Sequence, residues 1–219
     1  MNPDLRRALA TLRQGDHVCL FYDNPERQLE TAVEFVRQGV ERNELCLYVC
    51  ADRACPDFSS ALHRSGLPVT ELVMTGALRI LDKTEAHLAR SRFEPERMVA
   101  LLSAATEQAL DAGFNGLRAA GEMSWILDGV PGTDGIIEYE AVMNEFFSSS
   151  RAVGLCQYDS RRLSEEVVEG AMRTHPRAIL EGHVCSNPFY EPAEIFLRPG
   201  PGRRRVDWKL EQIAARRLT

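Results

Sequence analysis

The side chains able to do chemistry in this chain are histidines, cysteines and a few carboxylates next to aromatics. His-Val-Cys occurs twice, as His17-Val18-Cys19 and as His183-Val184-Cys185. In an extended strand, residues i and i+2 share a face about 6–7 Å apart, so each copy presents an imidazole and a thiol together. Should the two strands lie close, with Cys156 nearby, His17, Cys19, Cys156, His183 and Cys185 make a mixed site for a soft metal or a thiol-reactive ligand. The competing reading treats the cysteines as small core hydrophobes and the histidines as hydrogen-bonded bystanders. It is preferred, because no group that would orient the rings is visible. Cys46, Cys50 and Cys55 are poor metal ligands as a set. On an extended strand Cys46 and Cys50 stand roughly 13 Å apart, and zinc–sulfur bonds are near ~2.3 Å.

Nucleotide chemistry is disfavoured at the first strand-to-helix turn. A phosphate cradle needs glycines whose N–H groups wrap the phosphates, then a Lys and a Ser or Thr. The turn here reads Tyr22-Asp23-Asn24-Pro25-Glu26-Arg27, with no glycine, no lysine and two carboxylates. No nucleophile elbow and no His-Glu-x-x-His occurs, so the chain is expected not to be an enzyme. Glu122-Met123-Ser124-Trp125 is a stronger pointer, because it ends an apolar strand, where open α/β sheets leave ligand crevices. A carboxylate beside an indole makes one polar anchor and one apolar plate; a capping carboxylate and a core Trp is the equally weighted alternative. Tyr158-Asp159 ends another strand, and Asp159 is also readable as a cap or ion-pair residue. The expected ligand-binding set is Tyr22, Asp23, Glu122, Trp125, Tyr158, Asp159 and His175.

Alternating strands and helices must position these groups. His17–Tyr22 and Leu45–Cys50 are apolar runs of the kind found in parallel strands covered on both faces. Asn24 and Pro25 start a helix, with Leu29, Ala32, Val33, Val36 and Val40 at helical spacing. A short helix near 59–64, a strand at Leu78–Asp82 and a long helix from Pro95 to Gly113 follow. Residues 117–123 then read as a strand, Ile136–Ser149 as a helix, 152–158 as a strand, 164–174 as a helix and 178–185 as a strand. This alternation predicts an α/β fold, a mostly parallel sheet with helices on both faces. Residues 1–197 form the expected domain, 198–205 (Arg-Pro-Gly-Pro-Gly-Arg-Arg-Arg) a linker, and 206–219 a basic amphipathic helix with Val206, Leu210, Ile213 and Ala214 on one stripe.

Charge narrows the partners. The formal net charge of −6 hides six Lys/Arg against two Asp/Glu from 203 to 219, so the body is still more acidic. Neutralising a phosphate backbone takes clustered Lys and Arg, so direct nucleic-acid binding is not expected. No run approaches the roughly 18–20 apolar residues that span a bilayer, and the first residues lack a signal-peptide core. A cytoplasmic protein with six reduced cysteines follows.

His17–Asp23 (HVCLFYD), 121–125 (GEMSW), 156–159 (CQYD), His175-Pro176 and 187–191 (NPFYE), in this order, resemble the MEDS family, the methanogen and methylotroph sensory domains typified by the DcmR regulator. The resemblance covers about residues 15–197. It implies a RecA/KaiC-like α/β domain without a P-loop, in agreement with the turn at 22–27. It also implies an input module that binds a simple hydrocarbon derivative and signals to a regulatory partner such as a histidine kinase or an anti-sigma-type module. His17, Cys19, Glu122, Trp125, Cys156, Tyr158 and His175 sit in the matching motifs. The alternatives are a degenerate ATPase-like scaffold acting only through protein–protein contacts, or a His/Cys metal or redox sensor. A homodimer is compatible with either, and no cofactor is identified.

Overall fold

The computed structural model describes residues 2–51, 56–86, 88–89, 92–197 and 204–215. In chain order the elements are α1 (Pro3–Leu9), β1 (His17–Tyr22), α2 (Pro25–Glu41), β2 (Leu45–Cys50), α3 (Pro56–Arg64), α4 (Val69–Met74), β3 (Leu78–Asp82) and α5 (Lys83–Ala86). The two-residue strands β4 (Leu88–Ala89) and β5 (Arg92–Phe93), α6 (Pro95–Asp111), β6 (Leu117–Glu122) and α7 (Ile136–Ser149) follow. The chain continues with β7 (Ala152–Asp159), α8 (Glu165–Thr174), β8 (Arg177–Leu180), β9 (His183–Ser186), α9 (Ala193–Leu197) and α10 (Arg204–Ala215). The start of α2 is as expected: Asn24 Oδ1 accepts the Glu26 N–H at 2.8 Å, and Pro25 opens the helix. Asn2 and Pro3 start α1 in the same way.

The main sheet has seven strands in the order β3-β2-β6-β7-β1-β8-β9, all parallel except the β8–β9 pair. Helices α1–α4 cover one face and α6–α8 the other, each over its own apolar core. That double burial is why β1, β2 and β7 are apolar along almost their whole length. Cys19, Tyr158, Leu47 and Ala119 face the α6–α8 side, whereas Val18, Leu20, Tyr48 and Leu155 face the α1–α4 side. The architecture is the expected α/β one. Under α2, Arg118 is fully buried, bonded to Glu44 Oε2 at 2.6 Å and set 4.5 Å from the Phe35 ring.

Two expectations are corrected. The single strand at 178–185 is a hairpin, because Glu181 (φ 50°) and Gly182 (φ 81°) both take left-handed conformations and reverse the chain between β8 and β9. On the tail helix Val206, Leu210 and Ile213 are exposed, and Trp208, Lys209 and Ile213 line a groove against the body. Cys50 takes part in a disulfide, so not every cysteine is a free thiol. Cys55, residues 198–203 of the linker and residues 216–219 lie outside the described residues.

Candidate functional site

Among the described residues, two places that bring chemically able groups together stand out. The first lies at the carboxyl ends of β1 and β8. The chain leaves β1 for α2 on one face and β7 for α8 on the other, and that divergence opens a crevice between strand ends. A cavity of about 530 Å³ occupies this region. Tyr22, Asp23, Arg27 and Ser160 supply polar groups, and Leu20, Leu180 and Phe189 supply apolar surface. Such a volume and lining suit a small organic molecule with one polar end. Burial, then Glu122 and Asp159, push the Tyr22 phenol up, so its hydroxyl stays protonated and able to donate. Met172, Asn187, Pro188 and Phe189 form a shared wall. On its other side is a groove of about 720 Å³, closed by Trp208, Lys209 and Ile213 of α10.

The second place is a buried polar cluster between β1, β7, α7 and the end of α8. Glu140 and Asn144 are one turn apart on α7 and share its inward face. His17 stands at the start of β1 beside Gly154 of β7, and its ring stacks on Phe147 with centroids 4.9 Å apart. A side chain at 154 would strike that ring: a Cβ there lies 2.2 Å from Phe147 Cζ. His17 Nε2 lies 3.4 Å from Glu140 Oε2 and 3.4 Å from Cys156 Sγ. His175 Nε2 lies 3.6 Å from the same Glu140 oxygen, as does Cys156 Sγ. Tyr158 donates to the other carboxylate oxygen at 2.5 Å. Burial drives the His175 imidazole down to about 3 and lifts the Cys156 thiol, so both are neutral at neutral pH. Burial alone would raise Glu140, but its hydrogen bond with His17, the two imidazoles and Tyr158 outweigh it and hold the carboxyl at about 2.

These placements sort the expected residues. His17 and Cys156 come together as proposed for a His/Cys site, but Cys19, His183 and Cys185 do not join them. Cys19 turns its thiol to the Arg177 carbonyl, and β9 is an edge strand on which His183 and Cys185 are exposed. Cys185 lines the strand-end cavity instead. His175 and Tyr158 belong to the buried cluster rather than to a ligand wall. Glu122, Trp125 and Tyr158 do not share one pocket. Glu122 neighbours Tyr22 and Tyr48 on the α1–α4 side, whereas Trp125 is buried on the other side, 5.0 Å from the Phe93 ring. Asp159 accepts the Arg161 N–H, the capping role set against the ligand role at the outset. Tyr22 and Asp23 alone of the expected ligand set line the cavity.

Glu140 and Asn144 were missed. Their visible signal was two polar residues on the stripe of Ile136, Tyr139, Met143 and Phe147, where an amphipathic helix would place apolar side chains. Among the described residues no helix is long and apolar enough to cross a membrane.

Comparison with known proteins agrees with this architecture. The crystal structure of a KaiC-like protein from the hyperthermophilic archaeon Pyrococcus horikoshii OT3 is similar, with a TM-score of 0.55 and 13% identity over 75% of this chain and 70% of that one. At that identity the likeness shows the fold alone, a RecA-like α/β arrangement. No curated protein matches the chain. The family model described as the MEthanogen/methylotroph, DcmR Sensory domain matches residues 16–176. With a match over most of its length, the chain belongs to the MEDS family of sensory domains.

Proposed function

We propose that this sensory domain is a non-catalytic input module that takes a small organic molecule into the strand-end cavity and reports it through α10. The observation that carries this reading is the cavity of about 530 Å³ with a polar end and an apolar body. A simple hydrocarbon derivative matches it: Leu20, Leu180 and Phe189 cover the chain, while Asp23, Arg27 and Ser160 meet a polar group. The shared wall at 187–189 supports transmission. A ligand pressing on Phe189 shifts the surface on which α10 rests, and α10 is tied there by the 3.4 Å ion pair of Lys209 with Glu191. The exposed Val206, Leu210 and Ile213 then offer a partner protein a surface whose position depends on occupancy. Nucleotide turnover is not expected, because the turn between β1 and α2 is only Asp23-Asn24, which has no glycine and carries a carboxylate.

A panel of short-chain alcohols, amines and carboxylates tests the proposal by thermal shift and amide NMR. Binding should perturb residues 20–23 and 185–189, and Phe189→Ala should weaken it several-fold while the fold survives, since that ring is 65% exposed. A panel in which nothing binds, or binding indifferent to Phe189→Ala and Asp23→Asn, would reject the pocket.

A further inference from the structure

The buried cluster on the opposite side of the sheet is built like a metal site. Its four potential ligand atoms, from His17, Glu140, Cys156 and His175, all lie within 4.8 Å of one another. Four of the separations are 3.4, 3.4, 3.6 and 3.6 Å. Bonds of about 2.0–2.3 Å place the ligands of a tetrahedral zinc ion roughly 3.3–3.6 Å apart. Most of the tetrahedron is therefore already in place.

Orientation of the rings agrees. His175 Nδ1 lies 2.8 Å from the Ala171 carbonyl, which can only accept, so Nδ1 carries the hydrogen and Nε2 presents its lone pair. Asn144 gives its NH₂ to the carbonyls of Glu140 and Thr174, which leaves its Oδ1, 3.2 Å away, to accept from His17 Nδ1. Carbonyl oxygens behind both imidazoles are the arrangement that aims histidines at a metal. His175 Nε2 is fully buried and has no hydrogen-bond partner, yet it faces a carboxylate oxygen, another acceptor. A proton on His17 Nε2 would bridge His17 to Glu140 but leave His175 unanswered; a cation at the centre answers both.

We propose that His17, Glu140, Cys156 and His175 bind one divalent transition-metal ion, with zinc as the best fit. Two neutral imidazoles, one carboxylate and one thiolate are a donor set of borderline softness. On binding, the Cys156 sulfur–hydrogen bond breaks, its proton passes to solvent and the sulfur pair bonds the metal. The two anionic ligands then cancel the ion's charge, which a site this deeply buried requires. Asn144 acts as a positioning residue.

The test is chelator-treated full-length protein titrated with Co²⁺ and then Zn²⁺. One equivalent of cobalt should give the intense visible bands of a tetrahedral centre with a near-ultraviolet thiolate band, and zinc should displace both. Cys156→Ser should remove the thiolate band. His175→Ala and Glu140→Gln should each weaken binding beyond the roughly 10–100-fold expected of Asn144→Ala, which should keep the spectrum. His183→Ala and Cys185→Ser should change nothing. Zinc-edge X-ray absorption of the unmutated protein, which depends on no variant folding, should show one sulfur among nitrogen and oxygen ligands. Absence of one-to-one uptake, a pale octahedral cobalt spectrum, a thiolate band that survives Cys156→Ser, or a zinc site without sulfur would each overturn the assignment. The organic panel reads a different cavity, so either result stands without the other.

Discussion

Adding one methyl group at Gly154 is expected to disturb the second site from beneath. The new Cβ would sit 2.2, 2.4 and 2.8 Å from three atoms of the Phe147 ring. Carbon atoms settle at about 3.5–4.0 Å, so the ring must withdraw by more than about 1 Å. It has little room, being buried between His17 and Phe146, with centroids at 4.9 and 5.1 Å. Overpacking of a tight core costs about 1–3 kcal/mol, and a ring pinned on both sides belongs at the upper end. For a chain of this size that is a melting-temperature loss of roughly 6–12 °C. Moving Phe147 also moves α7, which carries Glu140 and Asn144, so cobalt affinity should fall together with stability. Differential scanning calorimetry of Gly154→Ala, Phe147→Leu and the double variant reads the effect as a cycle. The double variant should be more stable than the summed losses require, because the smaller side chain makes room for the methyl. Gly154→Ala melting within a degree or two of wild type, or strictly additive losses, would refute the packing argument.

Glu44→Gln should cost about 3–5 kcal/mol in urea unfolding, since it strands the buried Arg118 guanidinium, and Glu44→Gln with Arg118→Met should recover part of that loss. Stability should decline as pH rises above about 10, at up to about 1.4 kcal/mol per pH unit for each buried phenol. Burial, with Glu122, raises the Tyr48 phenol, so the folded chain keeps a proton that the unfolded chain releases; urea titrations at rising pH should show a shallower decline for Tyr48→Phe. Removing residues 199–219 should lower the melting temperature by only a few degrees, because Val206, Leu210 and Ile213 of α10 are exposed rather than packed into the core; insoluble expression of the truncated chain would contradict this.

The parallel sheet was legible because strands buried on both faces leave continuous apolar runs, and the start of α2 because Asn24-Pro25 is a cap with a mechanism. The β8–β9 hairpin was harder: β9 is exposed, so His183–Ser186 has no apolar signature, and only Gly182 marks the turn. The two His-Val-Cys copies look alike in sequence, but one lies on a central strand and the other on an edge. Strand order separates them, and strand order is set by which crossovers pack. For the same reason Cys156 could be paired with His17, whereas Glu140 could not. A carboxylate on an apolar helix stripe finds its partners only after α7 is laid over β1 and β7.

Hydrogen–deuterium exchange, run with and without the tightest binder from the alcohol, amine and carboxylate panel, tests the sensing claim most directly. The account predicts slowed exchange at 20–23 and 178–189 and, in the same experiment, altered exchange along α10, joined to the cavity through Met172, Asn187, Pro188 and Phe189. Protection confined to the cavity strands, with α10 unchanged at saturating ligand, would contradict it.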